Sequence, residues 1–209
     1  MTETQDRSGQ APRAADSNSH DVPTVPDPAR LLDSALAYAG RGWPVFPCRA
    51  GGKAPLTRQG FKDATTDPDQ IRAWWRRWPR ANVAIATGTL NGAASIDVVD
   101  VDVRPSGSGW AALNRLQRAR LLVGAFARVA TPSGGLHLYF PGTDQRGGPV
   151  KGQHLDLKSS GGYVVAPPSV VGGAAYELLE ASANVAGGRA DFDAIRRLLD
   201  PPPACVRRA

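Results

Sequence analysis

The segment Ser95–Arg104 restricts the possible folds of this chain more than any other part of the sequence. Within it, three valines alternate with Asp100 and Asp102. Since successive side chains of a strand point to opposite faces, this alternation predicts a strand whose valines face a core and whose two carboxylates share the other face. Counting by twos places Asp97 on the valine face, away from the other two acids.

Asp100 and Asp102 need a cationic partner if they share one strand face. Ionised carboxylates repel each other, and aspartate is depleted in strand interiors. A divalent metal ion between them would remove the repulsion, which predicts a metal site. The alternative is that the strand has ended by Asp100, and that both acids are solvated or paired with Arg104 and other arginines.

Two later segments repeat the alternation of apolar and polar residues. In residues 136–140, apolar side chains alternate with His137 and Tyr139. In residues 154–158, two leucines alternate with three ionisable residues. We therefore expect three strands to place polar groups on one face of a sheet, a combination that indicates a catalytic site. These groups are Asp100, Asp102, His137, His154, Asp156 and Lys158.

Three carboxylates in basic surroundings are typical of two-metal phosphoryl or nucleotidyl transfer. Asp100, Asp102 and Asp156 would bridge two Mg²⁺ or Mn²⁺ ions about 4 Å apart. His137 and Lys158 would then bind phosphate oxygens of a nucleotide, where fixed positive charge stabilises the negative charge that develops.

Two other features are compatible with a nucleotide or nucleic-acid ligand. A glycine turn that ends in Lys53 presents backbone N–H groups beside an ammonium, although such turns are usually only turns. A predicted helix carries Trp74, Trp75 and Trp78 among arginines, and tryptophan beside arginine can stack single-stranded bases. Together with Ile71, however, these residues have the spacing of a core-facing stripe. We expect at least two of the tryptophans to pack against the sheet.

Composition and charge limit the class of protein. The 209 residues are 42% hydrophobic, enough for one domain with a sizeable core. The net charge is +6, and after residue 30 the chain has 22 basic and 14 acidic residues. This excess favours a polyanionic partner such as nucleic acid, although 21 of the 25 basic residues are arginine and such a bias can be purely compositional.

The pattern divides the chain into residues 1–26, a disordered tail, residues 27–200, a catalytic domain, and residues 201–209, a Pro/Arg tail. Cys48 and Cys205 lack the spacing of a zinc module, so we expect no zinc and a reducing, cytoplasmic location. We expect no membrane segment, since no apolar run approaches the roughly 20 residues of a span. We also expect the strand at residues 82–87 to pair with the acidic strand.

The motifs together resemble the bifunctional DNA primase/polymerase domains of the archaeo-eukaryotic primase superfamily, which are common on plasmids and phages. The resemblance rests on Asp100 and Asp102 after a hydrophobic strand, on Ser133–Phe140, and on Asp156–Lys158 followed by Gly161–Ser169. It spans residues 31–178. It also covers Gly42–Pro47, Gly52–Pro55, Thr65–Trp75 and Asn82–Gly88.

The resemblance implies a mixed α+β fold, with a palm-like catalytic sheet packed against an N-terminal α/β unit in a single compact domain. It implies a nucleotidyltransferase that uses Mg²⁺ or Mn²⁺ and acts on single-stranded DNA template, primer and dNTP or NTP. A separate helicase is a further candidate partner. The implied metal ligands are Asp100, Asp102 and Asp156, and the implied nucleotide contacts are Lys53, Ser133, His137 and Lys158.

Two other functions remain open from the residues alone. A metal-dependent nuclease or phosphohydrolase would use the same carboxylates, but such enzymes often supply additional histidine or glutamate to position a water. A non-catalytic single-stranded DNA-binding module would use the tryptophan and arginine helix, and would bind DNA without a divalent metal.

Overall fold

The computed structural model describes residues 27–182 and 188–201. The predicted tail at residues 1–26 lies outside the described residues. Residues 202–209 of the predicted C-terminal tail also lie outside them. None of the helices in the described ranges combines the length and apolar character needed to span a bilayer.

Four helices and fifteen short strands make up the described chain. The helices are α1 (Pro28–Gly40), α2 (Pro68–Arg77), α3 (Trp110–Arg118) and α4 (Phe192–Leu199), with a 3-10 helix at Gly60–Asp63. The strands are β1 (Val45–Cys48), β2 (Asn82–Ala86), β3 (Thr89–Leu90), β4 (Ala93–Ala94), β5 (Ile96–Val101), β6 (Val103–Arg104), β7 (Gly107–Ser108), β8 (Ala127–Ala130), β9 (Leu136–Pro141), β10 (Gly148–Val150), β11 (Leu155–Lys158), β12 (Tyr163–Val165), β13 (Val170–Val171), β14 (Ala174–Ala175) and β15 (Glu177–Ala181).

Two sheets carry the architecture. The larger has six antiparallel strands in the order β10-β11-β5-β9-β8-β15, so the acidic strand β5 lies near its centre. The smaller has the order β1-β2-β12. The expected pairing of residues 82–87 with the acidic strand is wrong, because a single bridge between Thr87 and Ile96 is all that joins them. Strand β2 is buried along its length and pairs on both edges within the smaller sheet.

The six-stranded sheet has a core on each face, whereas the alternation in β5 predicted a core behind the valine face alone. Ile96 and Val98 belong to the core shared with α1, α2 and the smaller sheet. Val99 and Val101 belong to the core shared with α3 and α4. The result is a three-layered, mixed α+β domain, which confirms the predicted fold class. Asp100 falls on the Val98 face, so it faces the N-terminal layer.

Helix α2 packs against that first core through the predicted stripe. Asp67 caps the helix by accepting a hydrogen bond from the Asp69 backbone N–H. Ile71 and Trp75 are buried, and Trp74 and Trp78 are half-buried against the same core. The prediction that at least two of the tryptophans pack against the sheet is therefore confirmed.

Asp97 lies on the opposite face from Asp100 and is fully buried. Its carboxylate accepts hydrogen bonds from the hydroxyls of Ser159 at 2.6 Å and Thr143 at 2.5 Å. The Thr143 backbone N–H and the Gln145 side-chain amide also donate to it. Since Gln145 in turn bonds the segment that enters α4, Asp97 connects the sheet to the C-terminal helix.

We predict that Asp97→Asn lowers stability without changing the chemistry of the opposite face. An amide offers one acceptor oxygen where the carboxylate offers two, so about 2–3 kcal/mol of charge-assisted hydrogen bonding should be lost. For a domain of this size, the melting temperature should fall by about 4–12 °C. The control is Asp144→Asn, because Asp144 is exposed and lies between Thr143 and Gln145, two of the residues that bond Asp97. Equal melting temperatures for the two variants would contradict the role assigned to Asp97.

Candidate active site

Asp100 lies between His137 and Asp156 on three neighbouring strands. In the sheet register, Asp100 on β5 is directly opposite His137 on β9 and directly opposite Asp156 on β11. Directly opposed residues have Cβ atoms about 4.5–5.5 Å apart. The strand periodicity in the sequence therefore predicted correctly that these three side chains share one face.

Short polar contacts connect this row of side chains. The Nε2 atom of His137 lies 3.4 Å from Oδ1 of Asp100. The ammonium of Lys158 donates to Oδ2 of Asp156 at 2.6 Å. His137 is buried, and the centroid of its ring lies 6.2 Å from that of Tyr139 and 5.6 Å from that of Tyr176. The packing holds the imidazole in place beside the carboxylate.

The electrostatic environment keeps Asp100 ionised. Burial alone would raise the pKa of this carboxyl group, but the hydrogen bond and charge of His137 oppose it. The nearby ammonium groups of Lys158 and Lys53 act in the same direction, and the net result is a pKa below the ordinary value for aspartate. Asp100 is therefore a partly buried carboxylate that remains negatively charged near neutral pH.

Asp102 is placed differently from Asp100. Strand β5 ends at Val101, and the carboxylate of Asp102 accepts a hydrogen bond from Arg104 at 2.6 Å. Asp102 is therefore paired with Arg104, as in the alternative to a metal site given in the sequence analysis. Asp102 lines a separate cavity of about 210 Å³, which it shares with Asp156 and His154. His154 lies outside β11 and has a positive φ of 48°, so it does not continue the strand alternation.

A cleft of about 330 Å³ lies over Asp100 and His137. The six-stranded sheet supplies these residues and Lys158, while β12 of the smaller sheet lines the other side. Lys53 also lines the cleft, and its Nζ lies 5.9 Å from the centroid of the Tyr176 ring. The cleft therefore lies between the two sheets, and the structure brings Lys53 to it from a distant part of the sequence.

Three aromatic residues of the cleft did not follow from the sequence. Phe61, Tyr163 and Tyr176 line it together with the charged groups. Tyr163 follows the glycine turn after β11, and this turn could have indicated that the residue lies near the polar strand. Phe61 and Tyr176 lie in segments without strand or helix periodicity, and only the tertiary fold brings them to the site.

Ser133 lies in the hairpin turn between β8 and β9 and is exposed. Its hydroxyl lies 3.2 Å from that of Thr131, and it is not among the residues that line the cleft. The turn approaches β5 closely, since a Cβ added to Gly135 would lie 2.1 Å from the carbonyl oxygen of Val101. Glycine is therefore required at that position for the hairpin to cover the end of the acidic strand.

Comparison with known protein families identifies the chain. The family model for the N-terminal domain of bifunctional DNA primase/polymerase matches residues 35–198. The chain belongs to this family. The match confirms the family predicted from the motifs and indicates DNA primase or polymerase activity in a nucleotidyltransferase-type enzyme family. Comparison with curated proteins gave no match.

Bifunctional DNA primase/polymerase domains generally use divalent metals, and the carboxylates on this sheet face fit such an ion in part. Oδ1 of Asp156 is buried without a hydrogen-bond partner in the described part of the chain, and Asp100 is directly opposite. Mg²⁺ is usually bound through one or two carboxylates, with water and substrate phosphate completing its shell. As placed here, residues 27–182 and 188–201 contain no group of three or more His, Cys, Asp or Glu that could hold a metal ion, which agrees with the pairing of Asp102 with Arg104.

Proposed function

We propose that this domain is a DNA primase/polymerase that catalyses template-directed nucleotidyl transfer from dNTP or NTP onto a primer. The observation that carries the proposal is the row formed by His137, Asp100 and Asp156 in register on three neighbouring strands. His137 and Asp100 line a cleft together with two lysines, and Asp156 lines the separate cavity that it shares with Asp102. Carboxylates beside fixed cations suit a reaction in which a metal-bound, negatively charged triphosphate is attacked by a hydroxyl.

Asp100 and Asp156 would hold the Mg²⁺ or Mn²⁺ ions. Asp102 would complete the ligand set by giving up its ion pair with Arg104 and binding the metal. When bound, two such ions would activate the attacking hydroxyl and stabilise the leaving pyrophosphate. The low pKa of Asp100 supports this role, because a ligand must be deprotonated to bind a cation.

The basic residues would hold the nucleotide. His137 and Lys158 lie on the same sheet face as the carboxylates, and Lys53 approaches from the facing loop. Together they would neutralise phosphate oxygens as negative charge develops in the transition state. Ser133 would contact phosphate from the hairpin turn. Because Ser133 does not line the cleft, the triphosphate would have to extend beyond the cleft to reach this hydroxyl.

The wider setting of the activity is also a proposal. The family membership and the basic excess of the chain support replication of plasmid, phage or integrated DNA. Single-stranded DNA template, primer and nucleotide would be the substrates, with a separate helicase as partner and the cytoplasm as location.

We expect primer extension to require a divalent metal. Purified protein should extend a labelled primer on a single-stranded template with Mg²⁺ or Mn²⁺, and EDTA should abolish the products, because the carboxylates alone repel the triphosphate. Extension that continues at the same rate in EDTA would contradict the metal role. Shortening of the primer in place of extension would instead support the nuclease alternative.

A further inference from the structure

The surface around Trp78 contains two cavities that share no lining residue with the sheet cleft. One has a volume of about 710 Å³ and the other of about 480 Å³, and both are lined by Leu56, Arg77 and Trp78. Because the two cavities share these three residues, we call the surface that they form the Trp78 groove. The active-site roles assigned above involve none of its residues.

The Trp78 groove carries unpaired positive charge. Five basic residues line it, all are exposed, and none forms an ion pair with any residue that the structure describes. The two acids in the groove, Asp63 and Asp67, each accept a hydrogen bond from a backbone N–H. The groove therefore offers free cations to a polyanion. These basic residues are Arg49, Arg58, Lys62, Arg77 and Arg80.

Trp78 provides a fixed aromatic surface among these charges. Its side chain is half-buried against the first core, and its backbone N–H bonds the Trp74 carbonyl at the end of α2. The Arg77 guanidinium lies 4.8 Å from the centroid of its ring. Nucleic-acid bases stack on aromatic rings and on arginine planes, and stacking requires bases that are not already stacked in a duplex.

One loop connects the groove with the cleft. Residues 49–64 contribute Lys53 and Phe61 to the cleft, and Arg58 and Lys62 to the groove. A strand that lies along the groove can therefore reach the cleft by crossing this loop.

We propose that the Trp78 groove binds single-stranded DNA, with a base stacked on Trp78 and phosphates held by the unpaired basic residues. The strand would be the template on its way to the cleft. Only the identification of this strand as template rests on the proposed function, since binding itself requires neither nucleotide nor metal.

The test is the affinity for a fluorescent oligo-dT strand, measured by anisotropy in EDTA over a series of salt concentrations. Trp78→Leu keeps an apolar side chain but removes the ring, and it should weaken binding roughly 5- to 150-fold. Trp78→Phe keeps a ring and should bind within about fivefold of the unmodified chain. Thermal melting of each variant shows whether the fold is retained.

Charge variants test the groove independently of the Trp78 packing. Arg58→Gln combined with Arg80→Gln should reduce the slope of log affinity against log salt by about 1.4, since each single-strand phosphate contact contributes about 0.7. The matched control combines Arg118→Gln with Arg197→Gln, two exposed arginines on α3 and α4 outside the groove. This control should keep the slope of the unmodified chain.

Two results would overturn the proposal. One is a groove double variant that behaves like the control; the other is duplex DNA bound as tightly as oligo-dT with no effect of Trp78→Leu, which indicates phosphate attraction without stacking. Failure of the proposed function gives a different result. A chain that binds oligo-dT through the groove but extends no primer would contradict the polymerase activity and would still support DNA binding by the groove.

Discussion

The variant Asp100→Asn is expected to lower the rate of primer extension by about a thousandfold, equivalent to about 4 kcal/mol of barrier. Asparagine has nearly the same shape and can remain beside His137, but it lacks the charge required of a metal ligand. Asp156→Asn should have a similar effect, because Asp156 is directly opposite Asp100 on the neighbouring strand. Single-turnover extension with excess enzyme measures this loss directly.

The control for these two variants is again Asp144→Asn, which removes one exposed carboxylate and should keep full activity. Circular dichroism and thermal melting must show that all three variants are folded. If folded Asp100→Asn extends primers at a rate close to that of Asp144→Asn, the carboxylates of the sheet do not carry the chemistry.

His137→Ala is expected to lower the rate of nucleotide incorporation by about 10²- to 10³-fold, the usual effect of removing one preorganised donor at a developing charge. The affinity for single-stranded DNA should change much less, since the histidine is assigned to the triphosphate. His137→Gln retains an N–H donor and should recover part of the rate.

Tyr139→Phe is a matched control for His137→Ala. Tyr139 lies two residues along the same strand, on the same face, and its buried hydroxyl has no hydrogen-bond partner among the residues that the structure describes. Removing that hydroxyl should therefore leave both stability and incorporation nearly unchanged. Normal incorporation by His137→Ala, combined with a loss of template binding, would contradict the assignment to nucleotide.

The faces of the strands were predictable because the side-chain period of a strand is two. That period placed Asp100, His137 and Asp156 on one face and Asp97 on the other, and the register confirms both. The pairing register does not extend to Asp102, because β5 ends one residue earlier, and its placement on that face stays a prediction. The end of a strand depends on pairing partners that the local sequence does not contain.

Strand pairing and the composition of the cleft were less predictable for a related reason. Strand β2 is close to β5 in sequence, but it pairs with β1 and with the distant β12. Lys53, Phe61 and Tyr176 reach the cleft from loops whose conformation is set by tertiary contacts. Family resemblance supplied Lys53 as a nucleotide contact, whereas nothing in the local pattern indicated the two aromatic residues.

The most direct measurement of the central claim is incorporation of a single nucleotide opposite each of the four template bases, in the presence of Mg²⁺ or Mn²⁺. Asp100→Asn serves as the inactive comparison. We predict that the unmodified chain adds the complementary nucleotide in each case and that Asp100→Asn adds none at a comparable rate. Incorporation that ignores the template base, or equal incorporation by both proteins, would contradict template-directed nucleotidyl transfer at the row formed by His137, Asp100 and Asp156.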